Sequence, residues 1–89
     1  MSKKTIDRPE YRELVGRLRT LREESGKSQT ELARLLGWPQ QRLSAIEAGA
    51  RRLDIIEFVE LAVALGACPS ALIRIVAVPT HQRGQSPTD

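Results

Sequence analysis

The sequence predicts an all-α protein, a compact five-helix bundle that contains a helix-turn-helix. Apolar residues recur at spacings of three and four in five successive segments of the chain. A glycine follows four of these segments, as is typical of the end of a helix. Residues 28–49 comprise two short helical segments joined by a glycine turn, which is the layout of a helix-turn-helix.

The first helix is expected to begin after Pro9 and to end at Gly26. Gly16 interrupts it at a cost of about 1 kcal/mol relative to alanine, so we expect Gly16 to mark a close crossing with another helix. Residues 1–9 are polar and are expected to form a flexible N-terminal arm. The residues that share the inner face are Tyr11, Leu14, Val15, Leu18, Leu21, Arg22 and Ser25.

The second helix opens with a capping box, in which Ser28 and Glu31 each satisfy a backbone N–H group near the other. Gly37 is expected to end this helix with a positive φ. The third helix then covers about residues 39–48, and Trp38 is expected to pack on Leu43. The inward-facing residues of the two helices are Leu32, Ala33, Leu36, Leu43 and Ile46.

Asp54 and Glu57 form a second capping box at the start of the fourth helix. The fifth helix starts at Pro69 and is expected to end near Ala77, which gives a folded domain of residues 10–77. Residues 78–89 are rich in Pro, Gly, Ser, Thr and Gln and are expected to form a disordered tail. The apolar stripe of the fourth helix is expected to consist of Ile55, Phe58, Val59, Ala62 and Leu65.

The charge and the amino-acid composition indicate which classes of function to expect. The formal net charge is +3, and residues 1–28 hold eight Lys and Arg against five Asp and Glu. One cysteine and one histidine exclude an internal disulfide and a usual zinc site, so we expect no metal and no cofactor. No nucleophile or carboxylate pair converges, so we do not expect an enzyme. No apolar run reaches the length of a membrane span, and we expect a soluble cytoplasmic protein without a membrane partner.

In their order and spacing, these residues resemble the lambda-repressor-like, or Xre/Cro-type, helix-turn-helix proteins. The resemblance runs from about Leu14 to Ile73, and the small stand-alone form is similar to Cro-like repressors and restriction–modification controller proteins. It implies a repressor or autoregulator that binds double-stranded DNA as a homodimer on a near-palindromic operator. The motif positions are Arg22, Ser28, Gln29, Glu31, Leu32, Ala33, Leu36, Gly37, Ile46, Glu47, Gly49, Leu61, Ala62, Leu65 and Gly66.

Three positions depart from the family pattern. Pro39 stands where the family usually has Ser or Thr, so we expect the third helix to lack a side-chain cap. Cys68 stands where Asp or Ser is usual at the start of the fifth helix, and we assign it no chemistry. The loop after Gly49 lacks the proline that is often found there.

The third helix carries the residues expected to contact bases. Gln40 and Gln41 lie in its first turn, and a glutamine amide offers the donor and acceptor that suit the edge of adenine. Ser44 can reach a phosphate or a base, and Ala45 can contact a thymine methyl group. Arg42 could contact guanine or phosphate, or remain a solvated charge.

Other residues are expected to contact phosphates or to hold the helices together. Arg51 and Arg52 follow the third helix, where adjacent cations suit phosphate contacts, although an ordinary surface loop has the same composition. The resemblance implies that Gln29 holds a phosphate and braces Gln40. It also implies a partly buried salt bridge between Arg22 and Glu47.

The fifth helix is the expected site of dimerisation. A symmetric contact would cover apolar side chains that a short helix cannot bury on its own chain. In the alternative, two of them fold back on Phe58 and Leu61 and leave a monomer. The expected interface residues are Leu72, Ile73, Ile75 and Val76, the last two being those that could fold back.

A second interpretation of the function also stays open, namely an antitoxin or adaptor that uses this fold to bind a protein partner.

Overall fold

The computed structural model describes residues 5–85, and it describes the side chains of residues 5–77. These residues form helices and connecting turns, with no strand among them, which confirms the predicted all-α class. One 3-10 turn at Thr5–Asp7 precedes five helices, which are α1 (Pro9–Glu24), α2 (Gln29–Leu36), α3 (Gln40–Glu47), α4 (Ile55–Ala64) and α5 (Pro69–Gln85).

Both predicted capping boxes are present. Ser28 Oγ accepts a hydrogen bond of 3.0 Å from the Glu31 N–H, and Glu31 Oε1 accepts one of 2.8 Å from the Ser28 N–H. Asp54 and Glu57 exchange the equivalent bonds at 2.7 and 3.1 Å. Such caps satisfy backbone donors that the first turn of a helix leaves free, so they fix where α2 and α4 begin. The start of α3 at Pro39 has no side-chain cap, as predicted.

One apolar core joins the five helices. Leu32 and Leu43 are completely buried and Ile46 is 1% exposed, so α2 and α3 share the centre of the core. Burying a side chain of this size contributes about 1.5–3 kcal/mol, which makes this centre the main support for the helix pair. The core residues are Leu14, Leu18, Leu32, Ala33, Trp38, Leu43, Ile46, Phe58, Leu61, Ala62 and Leu72.

Gly16 does not lie at a helix crossing, so that prediction was wrong. The residue is exposed, and a Cβ atom placed on it would meet no other atom within 4 Å. The predicted stripe of α4 was wrong at two positions, because Ile55 and Val59 are exposed. Since α4 has apolar residues at eight of its ten positions, spacing alone did not identify the buried face. That face carries Phe58, Leu61 and Ala62.

Both ends of the chain contain more helix than expected. In the predicted arm, Thr5–Asp7 forms the 3-10 turn and Pro9 is already the first residue of α1, while residues 1–4 lie outside the described part. Helix α5 continues past Ala77 to Gln85, so its predicted end was wrong. Pro79 lacks one backbone N–H, and here the helical path continues across it. The last residues of the predicted tail, 86–89, are not described.

Among residues 5–85, none of the helices combines the length and the apolar character that a membrane crossing requires.

Candidate nucleic-acid interface

The turn between α2 and α3 fixes the angle at which the two helices meet. Gly37 ends α2 with a φ of +72°, a left-handed conformation that glycine adopts without steric cost. The Trp38 N–H then donates to the Ala33 carbonyl oxygen at 2.9 Å, which closes the end of α2. Trp38 itself is 8% exposed and belongs to the core together with Leu43, so the start of α3 is anchored on both sides of the turn.

A buried ion pair joins α1 to the end of α3. Arg22 Nε and one of its terminal nitrogens donate to the two carboxylate oxygens of Glu47, at 2.7 and 3.0 Å. The two side chains are 10% and 6% exposed. Arg22 also donates to the Lys27 carbonyl oxygen at 2.8 Å, and the hydrogen bond to Glu47 raises the pKa of the guanidinium. The pair that the family resemblance implies is therefore present, and it holds α3 against α1.

Two glutamines extend the hydrogen bonding from the Glu47 carboxylate toward the outer face of α3. Gln29 Nε2, at the start of α2, donates to Glu47 Oε1 at 2.8 Å. Gln40 Nε2, at the start of α3, donates to Gln29 Oε1 at 3.1 Å. A continuous set of hydrogen bonds, called here the glutamine chain, thus runs from Arg22 through Glu47 and Gln29 to Gln40.

The glutamine chain also fixes which way each amide faces. A carboxylate only accepts hydrogen bonds, so Gln29 must turn its amide nitrogen to Glu47 and its oxygen to Gln40. Gln40 then donates one of its two amide hydrogens to Gln29, which leaves its oxygen and its second amide hydrogen without a partner among residues 5–77. A donor and an acceptor side by side are what the adenine edge binds.

The predicted base-contacting residues lie along one side of α3. Gln40 and Gln41 are exposed in its first turn, while Ser44 and Ala45 are half-buried one turn further on. This is the geometry in which a helix enters a major groove by its N-terminal end.

Arg42 departs from the predicted arrangement. Its guanidinium lies over the Trp38 ring, 5.3 Å from the ring centroid, and 3.8 Å from a carboxylate oxygen of Glu57. Arg42 is half-buried by these contacts. Its charge is therefore held between the start of α3 and the start of α4, and is not presented alone on the outer face.

Glu57 has a second role that the sequence analysis missed. Besides its place in the capping box, it accepts two hydrogen bonds from one terminal nitrogen of Arg51, at 2.9 and 3.0 Å. Glu57 is 7% exposed, and the hydrogen bond from Arg51 lowers the pKa of its carboxyl group. Since this bond folds Arg51 back onto α4, the predicted phosphate contact of Arg51 competes with an internal ion pair. No local spacing in the sequence signals this contact, because it depends on the path of the loop between α3 and α4.

Arg52 remains exposed at the surface of the same loop. The loop is fixed from beneath by Tyr11 of α1, whose hydroxyl oxygen accepts a hydrogen bond of 2.9 Å from the Leu53 N–H. From the sequence, Tyr11 was expected only on the inner face of α1. The hydrogen bond couples the Arg51–Arg52 segment to the body of the domain.

The residues predicted to form a dimer contact on α5 pack largely against the same chain. Leu72 is 5% exposed and belongs to the core, so it offers little surface to a second copy. Ile75 and Val76 are half-buried against that core, as in the monomeric alternative. Ile73 is 40% exposed.

Cys68, at the start of α5, is exposed, with its sulfur 3.0 Å from the Ser70 hydroxyl oxygen. The interaction with Ser70 lowers the pKa of the thiol. We assign Cys68 no role in the interface. The side chain of His81 lies outside the described residues.

Comparison with known proteins agrees with this geometry. The profile of the family described as "Helix-turn-helix domain" matches residues 13–74 of the chain. No curated protein matches the chain. A solved structure of an XRE-family like protein from Pseudomonas syringae pv. tomato str. DC3000 is 38% identical, covers 81% of this chain and 88% of its own, and has a TM-score of 0.74. The protein therefore belongs to the helix-turn-helix family of the Xre/Cro type, whose members are DNA-binding regulators.

Proposed function

We propose that the protein is a transcriptional repressor or autoregulator that binds a near-palindromic operator as a homodimer, with α3 in the major groove. The glutamine chain carries the proposal. It uses a buried ion pair to position Gln40 at the start of an exposed helix and leaves the donor and acceptor of that amide free. Such positioning is more than a solvent-facing glutamine requires.

In this proposal Gln40 and Gln41 provide the sequence specificity. Each exposed amide binds the N6 and N7 groups of an adenine, at about 1–3 kcal/mol of discrimination for a bidentate pair. Ser44 and Ala45, one turn later, contact a phosphate or base and a thymine methyl group.

The phosphate contacts come from the two ends of the helix pair. Arg52 is exposed in the loop after α3 and binds the backbone directly. At the other end, Gln29 is the first residue of α2, and the N-terminus of a helix favours phosphate. Arg51 reaches a phosphate only by leaving Glu57, so it contributes less than Arg52. Arg42 supports the loop and does not contact a base.

Repression requires only that the operator overlaps a promoter, because a domain bound in the major groove excludes polymerase from the same DNA. A homodimer would place two copies of α3 about 34 Å apart, one turn of DNA, so that each contacts one half-site. Symmetry of the protein then predicts symmetry of the operator.

Selection from a random duplex library, using the full chain at physiological salt, tests the proposal. We expect an inverted repeat whose half-site centres lie about 10 base pairs apart, bound about 10³-fold or more above random DNA. The selected sequence should recur upstream of the gene of the protein itself. Enrichment of a single asymmetric site would contradict the homodimer, and the absence of any enriched sequence would contradict specific binding.

A further inference from the structure

Helices α2 and α4 expose an apolar surface that the proposed DNA contacts do not use. Ile55, Ile56 and Val63 of α4 are 62–65% exposed, and Leu35 of α2 is 65% exposed. Val59, between them on α4, is 41% exposed. We call these five residues the α2–α4 patch. Large apolar side chains exposed singly are ordinary, but a contiguous group of them marks an interaction site.

The patch is continuous across the two helices. Leu35 and Leu36 line one side of an open groove of about 400 Å³, and Val59 and Val63 line the other. On α4, Val59 and Val63 are four residues apart and therefore lie on the same side of the helix. The groove is shallow and open to solvent, and Ile55 and Ile56 are exposed one turn before it on α4.

We propose that a second copy of this chain covers the α2–α4 patch. The inference rests on the homodimer of the proposed function and locates its interface. In a two-fold contact the same surface serves both partners, so it must carry both the groove and the side chain that fills it. The patch carries both.

The charged residues at the patch also favour a second copy of the chain as the partner. Glu60 lines the groove among the apolar side chains, and a purely apolar partner would bury its carboxylate unpaired. A cation on the partner would pair with this carboxylate. Arg34, next to Leu35 in the sequence, is exposed at the edge of the patch. Within residues 5–77, neither Arg34 nor Glu60 forms an ion pair. Two-fold pairing would match Arg34 of each copy with Glu60 of the other.

The position of the patch is compatible with DNA binding. Gln29 and Leu35 are six residues apart on α2, or about 9 Å along the helix axis. On α2, the proposed phosphate contact and the patch therefore lie at opposite ends of the helix. Helix α5 offers a smaller exposed apolar surface for a dimer contact. Leu72 is in the core, and among residues 69–77 Ile73 is the one large apolar side chain that is exposed.

Charge reversal tests the interface in the full chain by sedimentation equilibrium. Arg34→Glu alone and Glu60→Arg alone each create two like-charge contacts per homodimer, and should weaken dimerisation about tenfold or more. An equimolar mixture of the two variants should form a heterodimer, because both contacts then join opposite charges. The double variant Arg34→Glu/Glu60→Arg should dimerise with itself. Arg12→Glu on α1 and Ile73→Asp on α5 are the controls and should leave the dimer intact.

Several results would overturn the interface: a wild-type chain that is monomeric at tens of micromolar, single variants that dimerise normally, or a mixture that stays monomeric although circular dichroism shows folded helices. Loss of the dimer in Ile73→Asp with normal dimers in both charge variants would place the contact on α5. If only an unrelated protein restored association, the occupant would be that partner and the proposal would fail. A wild-type dimer with the expected charge behaviour but no specific DNA binding would support the interface and contradict the proposed function instead.

Discussion

Gln29 donates a hydrogen bond of 2.8 Å to Glu47, which joins the start of the second helix to the end of the third. Because the same carboxylate holds Arg22, the residue that stabilises the fold also orients the amide that braces Gln40. The proposed DNA recognition therefore depends on the residue that stabilises the fold, and substitutions along the glutamine chain test the two roles separately.

Gln29→Ala should weaken specific DNA binding by about 1–3 kcal/mol, because Gln40 loses the acceptor that fixes its amide. In the Gln29→Ala protein, Gln40→Ala should reduce the free energy of specific DNA binding by less than it does in the wild type, with a coupling energy of about 0.5 kcal/mol or more. Fluorescence anisotropy with operator and random duplexes measures both effects. Thr30→Ala, at the neighbouring exposed position, is the matched control. Additive effects of the two glutamine variants would show that the brace is not used.

Glu47→Ala should destabilise the domain by about 3 kcal/mol or more, since it leaves the Arg22 charge buried without its partner. The control is Glu23→Ala, which breaks the ion pair between Arg19 and Glu23. The side chains of these two residues are 56% and 53% exposed. Exposed pairs contribute about 0–1 kcal/mol, so this variant should unfold almost as the wild type does. Urea unfolding followed by circular dichroism compares them. Equal small losses would mean that the buried pair contributes no more than the surface one.

Local rules in the sequence predicted much of the fold. The capping boxes at Ser28 and Asp54 and the glycine turn at Gly37 depend on neighbouring residues, and the structure contains all three. Packing was harder to predict where a helix is apolar on most sides. In α4, spacing alone did not show that Phe58 is buried while Val59 is exposed.

The candidate site was predicted less completely than the fold, because its contacts join residues far apart in the chain. The pairing of Arg22 with Glu47 followed from the family resemblance. The family resemblance did not imply the contacts of Glu57 with Arg51 and Arg42. These contacts depend on the path of the loop after α3. Leu72, in the first turn of α5, packs into the core, and the spacing of apolar residues along α5 did not show this.

Gly16→Ala should stabilise the domain by about 1 kcal/mol, because the added Cβ meets no atom and alanine favours the helix. Thermal unfolding should show a raised midpoint. The matched control is Gly37→Ala, where φ is +72° and a side chain is strained, so that variant should be less stable than the wild type. A lowered midpoint for Gly16→Ala would indicate that the residue does have a close neighbour.

Acid should destabilise the domain through Glu57. The hydrogen bond from Arg51 lowers the pKa of Glu57 below the ordinary glutamate value of about 4.3. A carboxyl group whose pKa is lower in the folded state stabilises the fold above its unfolded-state pKa, and this contribution is lost as pH falls through the folded-state value. Urea unfolding between about pH 7 and pH 3 should show the loss below about pH 4.3. Glu57→Gln should be less stable near pH 7 and lose less on acidification. Parallel pH curves for the two proteins would exclude Glu57 as a source of the acid sensitivity.

The most direct test of base recognition compares Gln41→Ala with Arg52→Ala by anisotropy on the selected operator, on single-base variants of it and on random DNA, over a series of salt concentrations. We expect Gln41→Ala to remove the preference at one or two positions per half-site while keeping the salt dependence. Arg52→Ala should weaken all duplexes alike and reduce the slope of log K against log salt by about one. If both variants kept the affinity and the base preference of the wild type, the assignment of α3 and its loop as the DNA-contacting surface would be wrong.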